Sequence, residues 1–142
     1  IEQPLPAASI SELRSLPPSV RRIIAADESL HGEEDARILA DDPPACGIFN
    51  IKLMKCGGIR PALAIADIAQ SAGIDLMWGC NDESVVSIAA ALHAAYACPN
   101  TRYLDLDGSF DLARDPASGG FVVEEGRLRL LNKPGLGVDL VG

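Results

Sequence analysis

Aromatic side chains are scarce in this chain: one Trp, two Tyr and three Phe among 142 residues. With 48% of the residues hydrophobic, the core must instead rest on Ala, Leu and Ile, which suits helices packed on strands. Basic charge is also short. Twelve Lys and Arg face twenty Asp and Glu, a formal charge of −8 with no basic patch, so nucleic acid and anionic membrane surfaces are disfavoured as partners. The four cysteines, Cys46, Cys56, Cys80 and Cys98, include no C-x-x-C pair and have no His pair nearby. That argues against a zinc site or a disulfide framework and for reduced, mostly buried thiols in a cytoplasmic protein. No apolar run approaches the roughly 20 residues needed to span a bilayer. The opening Ile1-Glu2-Gln3-Pro4 lacks Met and a signal-peptide pattern, and reads as the middle of a protein.

What the chain does have is alternation of apolar strand and amphipathic helix. Ser9 and Glu12 stand at capping-box spacing before a short helix over Ile10 to Leu16, ended at Pro17-Pro18. Arg21 to Ala26 reads as a strand, Gly32 to Leu39 as a helix, and Ile48 to Ile51 as a second strand. After the Gly57-Gly58 turn, Pro61 fits the first turn of a helix running over Ala62 to Ala72 and closed by Gly73. Asp75 to Trp78 is a third strand, Ser84 to Ala97 an Ala-rich helix, and Arg102 to Leu106 a fourth strand. Short strands at Phe121–Val123 and Arg127–Leu130 break an otherwise irregular tail. Such alternation implies an α/β fold with parallel pairing and right-handed crossovers. It is either an open sheet or part of a barrel, since a complete (β/α)8 barrel needs about 250 residues.

Several chemistry-bearing residues lie at or just past strand ends: Glu2, Asp27, Lys52, Glu83, Asp105 and Asp107. Barrel active sites occupy that rim. Converging carboxylates suit Mg²⁺, which takes few of them and keeps positions for water or substrate. A lysine with a buried stem has a lowered pKa and can act as a base; Lys52 and Lys55 are both near the second strand's end. Asp105-Leu106-Asp107 puts two acids on one side of a strand, able to grip a metal or a substrate ammonium group. The alternative is that acids at strand ends cap the helices that follow.

Five segments occur in order: Glu2-Gln3-Pro4, Ala26-Asp27-Glu28-Ser29, Asn50-Ile51-Lys52-Leu53-Met54-Lys55-Cys56-Gly57-Gly58, Asp105-Leu106-Asp107 and Lys133-Pro134-Gly135-Leu136-Gly137. Together they resemble the enolase superfamily in its muconate-lactonizing subgroup, most closely the dipeptide epimerases of L-Ala-D/L-Glu epimerase type. The resemblance covers essentially residues 1–142 and implies the C-terminal part of an enolase-type (β/α)7β barrel, from strand four onward, without the capping domain and first barrel strands. It implies Glu2 and Asp27 as Mg²⁺ ligands and Lys52 as one of two acid/base groups. Asp105 and Asp107 would hold the dipeptide's α-ammonium group, with Glu83 and Lys55 also on the substrate side. The neighbours Asn81-Asp82 depart from the apolar residues the pattern would have there.

The implied reaction removes and returns an α-proton through an enediolate; Mg²⁺ on the carboxylate stabilises that species, and each face of the carbon needs its own base. Relatives of the same group, o-succinylbenzoate synthase and muconate cycloisomerase, keep metal and lysine but change a different bond. A non-catalytic half-barrel is the third reading. Half a barrel exposes a strand edge and bare apolar faces, so the first half is expected as a preceding segment or another chain. A homo-oligomer is also expected as an option.

Overall fold

The computed structural model describes residues 1–141. Its elements follow in chain order: α1 (Ile10–Ser15), α2 (Pro18–Arg21), β1 (Ala25–Ala26), α3 (Glu33–Ala40), β2 (Ile48–Ile51), α4 (Leu53–Cys56) and α5 (Ile59–Ser71). Then come β3 (Asp75–Trp78), α6 (Val85–Ala97), β4 (Thr101–Leu104), β5 (Ala117–Gly119), β6 (Phe121–Glu124), β7 (Arg127–Leu130) and β8 (Val138–Leu140). Strands β1 to β4 form one parallel sheet in sequential order, β1-β2-β3-β4. Residues 1–3 extend it, since Glu2 bridges Ala25 in parallel and Gln3 N–H donates to the Ala25 carbonyl at 2.9 Å. Strands added always in one direction, by crossovers of one hand, place every helix on the same face. The sheet is therefore an arc of a barrel. An open, doubly wound sheet would reverse its order and carry helices on both faces.

Burial follows the pleat. Phe49, Leu76, Ile51 and Trp78 point toward the helices and are at most 1% exposed. Their neighbours Ile48, Asp75 and Met77 face the concave side and are only partly covered, and Tyr103 is exposed. This inner face is an open groove of about 400 Å³ lined by Glu2, Arg22, Ile48, Asp75, Met77 and Tyr103. A closed barrel fills that space with side chains from its other strands.

Helix α6 is apolar around most of its circumference, with Ile88, Leu92 and five alanines buried. It can be so because it is covered twice, by the parallel sheet on one side and by the two small antiparallel tail sheets, β5-β8 and β6-β7, on the other. Its start is held by Asp115, which accepts from Val85 N–H at 2.7 Å and the Ser84 hydroxyl at 2.8 Å. Those backbone and hydroxyl donors hold the Asp115 carboxyl below the usual carboxylate range.

Four local readings are corrected. The segment from Arg21 divides into the end of α2 and a two-residue strand, because Pro17-Pro18 starts a helical turn that runs to Arg21. The Ser9 side chain makes no cap hydrogen bond; its backbone, at φ −88° and ψ 41°, is neither helical nor in the extended range of a capping residue, and Glu12 accepts from the Ser11 hydroxyl instead. Strand β4 ends at Leu104, short of the two acids. Helix α5 begins at Ile59, with Pro61 inside its first turn. All four thiols are free, Cys46 and Cys98 buried and the other two half-buried. Burial pushes the Cys46 thiol up to about 12. Among the described residues no helix is long and apolar enough to cross a membrane.

Trp78 joins the layers. It is fully buried, its Nε1 donates to Thr101 Oγ1 at 3.0 Å, and that hydroxyl donates to the Ala95 carbonyl at 2.9 Å. Trp78→Ala is expected to cost about 3–5 kcal/mol of unfolding free energy, measured by urea denaturation. A cost below about 1 kcal/mol would show that the sheet and α6 do not depend on this contact.

Candidate active site

The first residue past each strand of the parallel sheet is Asp27, Lys52, Gly79 and Asp105, after β1, β2, β3 and β4 in turn. Parallel pairing aligns these ends. Gly79 N–H donates to the Ile51 carbonyl at 3.0 Å and Asp105 N–H to the Trp78 carbonyl at 2.8 Å. Four consecutive ends thus deliver an acid, an amine, a gap and an acid to one rim.

Asp27 is the centre. Its backbone is fixed by Gln3, whose side-chain oxygen accepts from Asp27 N–H at 3.0 Å and Ser29 N–H at 3.2 Å. The same amide's nitrogen donates to the Leu5 carbonyl at 2.7 Å and to Ser29 Oγ at 2.8 Å. All the amide's hydrogen-bonding directions are used, and Gln3 itself is held at φ 34°. Lys52 Nζ donates to Asp27 Oδ2 at 2.9 Å, and Lys55 Nζ donates to Asp27 Oδ1. Glu2 lies on the neighbouring segment, exposed, and accepts from Asn50 Nδ2 at 2.6 Å. Asn50 is 1% exposed and lies on the Lys52 side of β2, two residues before it.

Electrostatics follow from these contacts. Burial raises the Asp27 carboxyl, but hydrogen bonds and charge from Lys55 and Lys52 outweigh it and hold the carboxyl below its usual range. A lowered pKa was expected for Lys52. Burial does lower it, but Asp27, Glu2 and Glu28 raise it more, so its net shift is upward. The amine that is lowered is Lys55, through burial and the Lys52 charge, against the pull of Asp27.

Lys55 was also expected to touch substrate. Its three N–H groups are instead taken by Asp27 Oδ1, the Asp27 carbonyl at 2.7 Å and the Asn50 carbonyl at 3.2 Å. Glu83 is buried, with Oε1 accepting from Asn81 N–H at 2.9 Å and Oε2 from the Ser87 hydroxyl, while the cap of α6 is Ser84, whose hydroxyl accepts from Val86 N–H at 3.3 Å. Asp105 and Asp107 lie just past β4, both exposed, with Leu106 tucked in between at 3% exposure. Neither forms an ion pair among the described residues. Sequence reasoning assigned no role to Gln3, Asn50 or Gly79. A Cβ on Gly79 would stand 2.5 Å from Asn50 Oδ1 and 3.1 Å from Lys52 Cε, so only glycine lets those two side chains lie across the end of β3.

Among the described residues no three His, Cys, Asp or Glu side chains converge on one point. Glu2 and Asp27 nonetheless fit Mg²⁺ as two of its ligands. They are hard carboxylate oxygens on adjacent strand segments, and Mg²⁺ completes its octahedron with water or substrate oxygens. The larger groove of about 520 Å³, between α3 and α5, lies outside the helix layer and contains none of these residues.

Comparison with known proteins decides the family. The model for "Enolase C-terminal domain-like" proteins matches residues 1–141. The chain belongs to this enolase family. It is 70% identical over 138 residues to the L-Lys-D/L-Arg epimerase of Methylococcus capsulatus, covering 97% of this chain and 39% of that protein. It is 38% identical over 140 residues to the L-Ala-D/L-Glu epimerase of Clostridium acetobutylicum, covering 98% of this chain and 38% of the relative. A crystal structure of the Methylococcus capsulatus dipeptide epimerase with Mg and the dipeptide L-Arg-D-Lys superposes with a TM-score of 0.96 at 70% identity, over 97% of this chain and 39% of that one. The chain thus spans about two fifths of the length of these relatives, and the enolase-type half-barrel reading holds.

The lowered Asp27 value has a sign. A carboxyl depressed in the folded state contributes stability above its unfolded value of about 3.9, lost as pH falls through the folded value. Gly79→Val should push Lys52 aside and bring Asp27 back toward ordinary titration, followed by carbon-13 NMR on metal-free protein. An unchanged Asp27 titration would show that Gly79 does not hold the amine in place.

Proposed function

We propose that this chain carries one face of the catalytic site of a Mg²⁺-dependent dipeptide epimerase. The observation that carries the reading is the Lys52–Asp27 contact of 2.9 Å at the ends of adjacent strands, beside the Glu2 carboxylate. Glu2 and Asp27 would hold the ion. When bound, it stabilises the negative charge that builds on the substrate carboxylate as the α-proton leaves. Lys52 exchanges that proton on one face of the carbon. The opposite face needs a second base, supplied from the rest of the barrel, which we place in a preceding segment of the same protein. Asp105 and Asp107, exposed and without a cationic partner among the described residues, would anchor the α-ammonium group. That anchor favours a dipeptide over the substrates of a synthase or cycloisomerase, which carry no such group.

The dipeptide is proposed to bear basic side chains. Two supports are independent: the relative of 70% identity acts on Lys and Arg residues by its name, and the rim carries further exposed acids, Glu28 and Asp82, that form no ion pair among the described residues. The earlier L-Ala-D/L-Glu assignment keeps the reaction and changes the side chains. A cytoplasmic location stays part of this proposal.

The test uses the full-length protein in D₂O with Lys/Arg dipeptides. Both epimers at the C-terminal residue should gain α-deuterium. Lys52→Ala should abolish epimerisation, keep Mg²⁺ binding, and leave exchange in one epimer only. Unimpaired epimerisation by that variant rejects the role of Lys52.

A further inference from the structure

Lys52 stands at the start of one short helical turn, α4, and Lys55 lies within it. Residues three apart on a helix share a face, and here both amines reach the same carboxylate, Asp27. Yet they are placed differently. Lys52 has one protein acceptor on Asp27, which leaves it two further N–H groups. Lys55 has none to spare, because an ammonium has three donors and three protein oxygens take them.

The identity of those three oxygens matters. Two belong to Asp27, one on its side chain and one on its backbone, so Lys55 fixes both where the residue sits and which way its carboxylate turns. The third is the carbonyl of Asn50, whose side-chain nitrogen holds Glu2 Oε1 at 2.6 Å. A continuous path therefore runs from Asp27 through Lys55 and Asn50 to Glu2, joining two acids that lie 25 residues apart in sequence. The turn that carries Lys55 is closed tightly enough to act as a rigid mount. Gly57 sits at φ 91°, and the N–H groups of Gly57 and Gly58 both donate to the Leu53 carbonyl, at 3.0 and 2.9 Å.

We propose that Lys55 is a positioning residue that sets the spacing and orientation of the Asp27 and Glu2 carboxylates, acting through Asp27 and Asn50 without contacting substrate. Outer partners of metal-binding carboxylates commonly control affinity in this way. The inference rests on the proposed Mg²⁺ role of the two acids.

The experiment measures Mg²⁺ binding calorimetrically in the full-length protein without substrate, beside kcat and KM for a Lys/Arg dipeptide at saturating Mg²⁺. Lys55→Met removes the donors at similar length and should weaken Mg²⁺ binding about tenfold or more, with KM changed less than about threefold. Lys55→Gln keeps amide donors, should restore part of the affinity, and serves in place of the Met variant if that one fails to fold. A KM raised tenfold with Mg²⁺ affinity and kcat unchanged would place Lys55 on the substrate and overturn the proposal, as would unaltered Mg²⁺ affinity in both variants. A wild-type protein that binds Mg²⁺ without epimerising dipeptides would sink the substrate reading. Loss of Mg²⁺ affinity in Lys55→Met would then still support the positioning role.

Discussion

One carboxylate between two ammonium groups organises this site. Asp27 stands 11% exposed at its side chain, with Lys52 and Lys55 at 16% and 15%. Two positive charges held this close with little water repel unless a negative charge lies between them. Asp27 supplies that charge, and its own burial is offset by the same two amines. The arrangement fixes the first turn after β2 against the loop after β1. Without it the amines would separate, and the rim would lose the group that defines its centre.

That contact works only because the parallel sheet brings successive strand ends to one level. Asp27, Lys52, Gly79 and Asp105 each follow directly on a strand, and each has a distinct task. The acid gathers charge, the lysine donates to it, the glycine makes room for the lysine stem, and the last acid stands exposed with no ion pair among the described residues. The outer face of the same strands is dry and apolar, packed on α5 and α6. The inner face stays partly open because these residues form an arc of a barrel whose remaining strands are not among them. The two small tail sheets do for α6 what a neighbouring helix would otherwise do, covering its second apolar side.

Much of this was legible in the chain. Strands over Ile48–Ile51 and Asp75–Trp78 read correctly because apolar runs of that length, bounded by Gly and Pro, have few alternatives. The acids and Lys52 were legible because charges just past apolar runs mark strand ends. The failures have physical causes. Pro17-Pro18 looks like a stop and also starts a helical turn. Strands β5 and β8 are three residues each and pair across a distance that no local pattern reports. The direction of the Lys52 shift was misjudged because burial is legible in sequence and a salt-bridge partner 25 residues away is not. Gln3 and Asn50 carry no charge, so they stood in the motifs unremarked. Their value lies in hydrogen bonds that only the folded chain displays, from the Gln3 amide to Asp27, Ser29 and Leu5 and from Asn50 Nδ2 to Glu2.

The most direct measurement is a crystal structure of the full-length protein with Mg²⁺ and a Lys/Arg dipeptide. The account requires an ion bound to the carboxylates of both Glu2 and Asp27, with Lys52 Nζ within about 3.5 Å of the substrate α-carbon. An ion seated elsewhere, or a Lys52 amine turned out to bulk water, would contradict it.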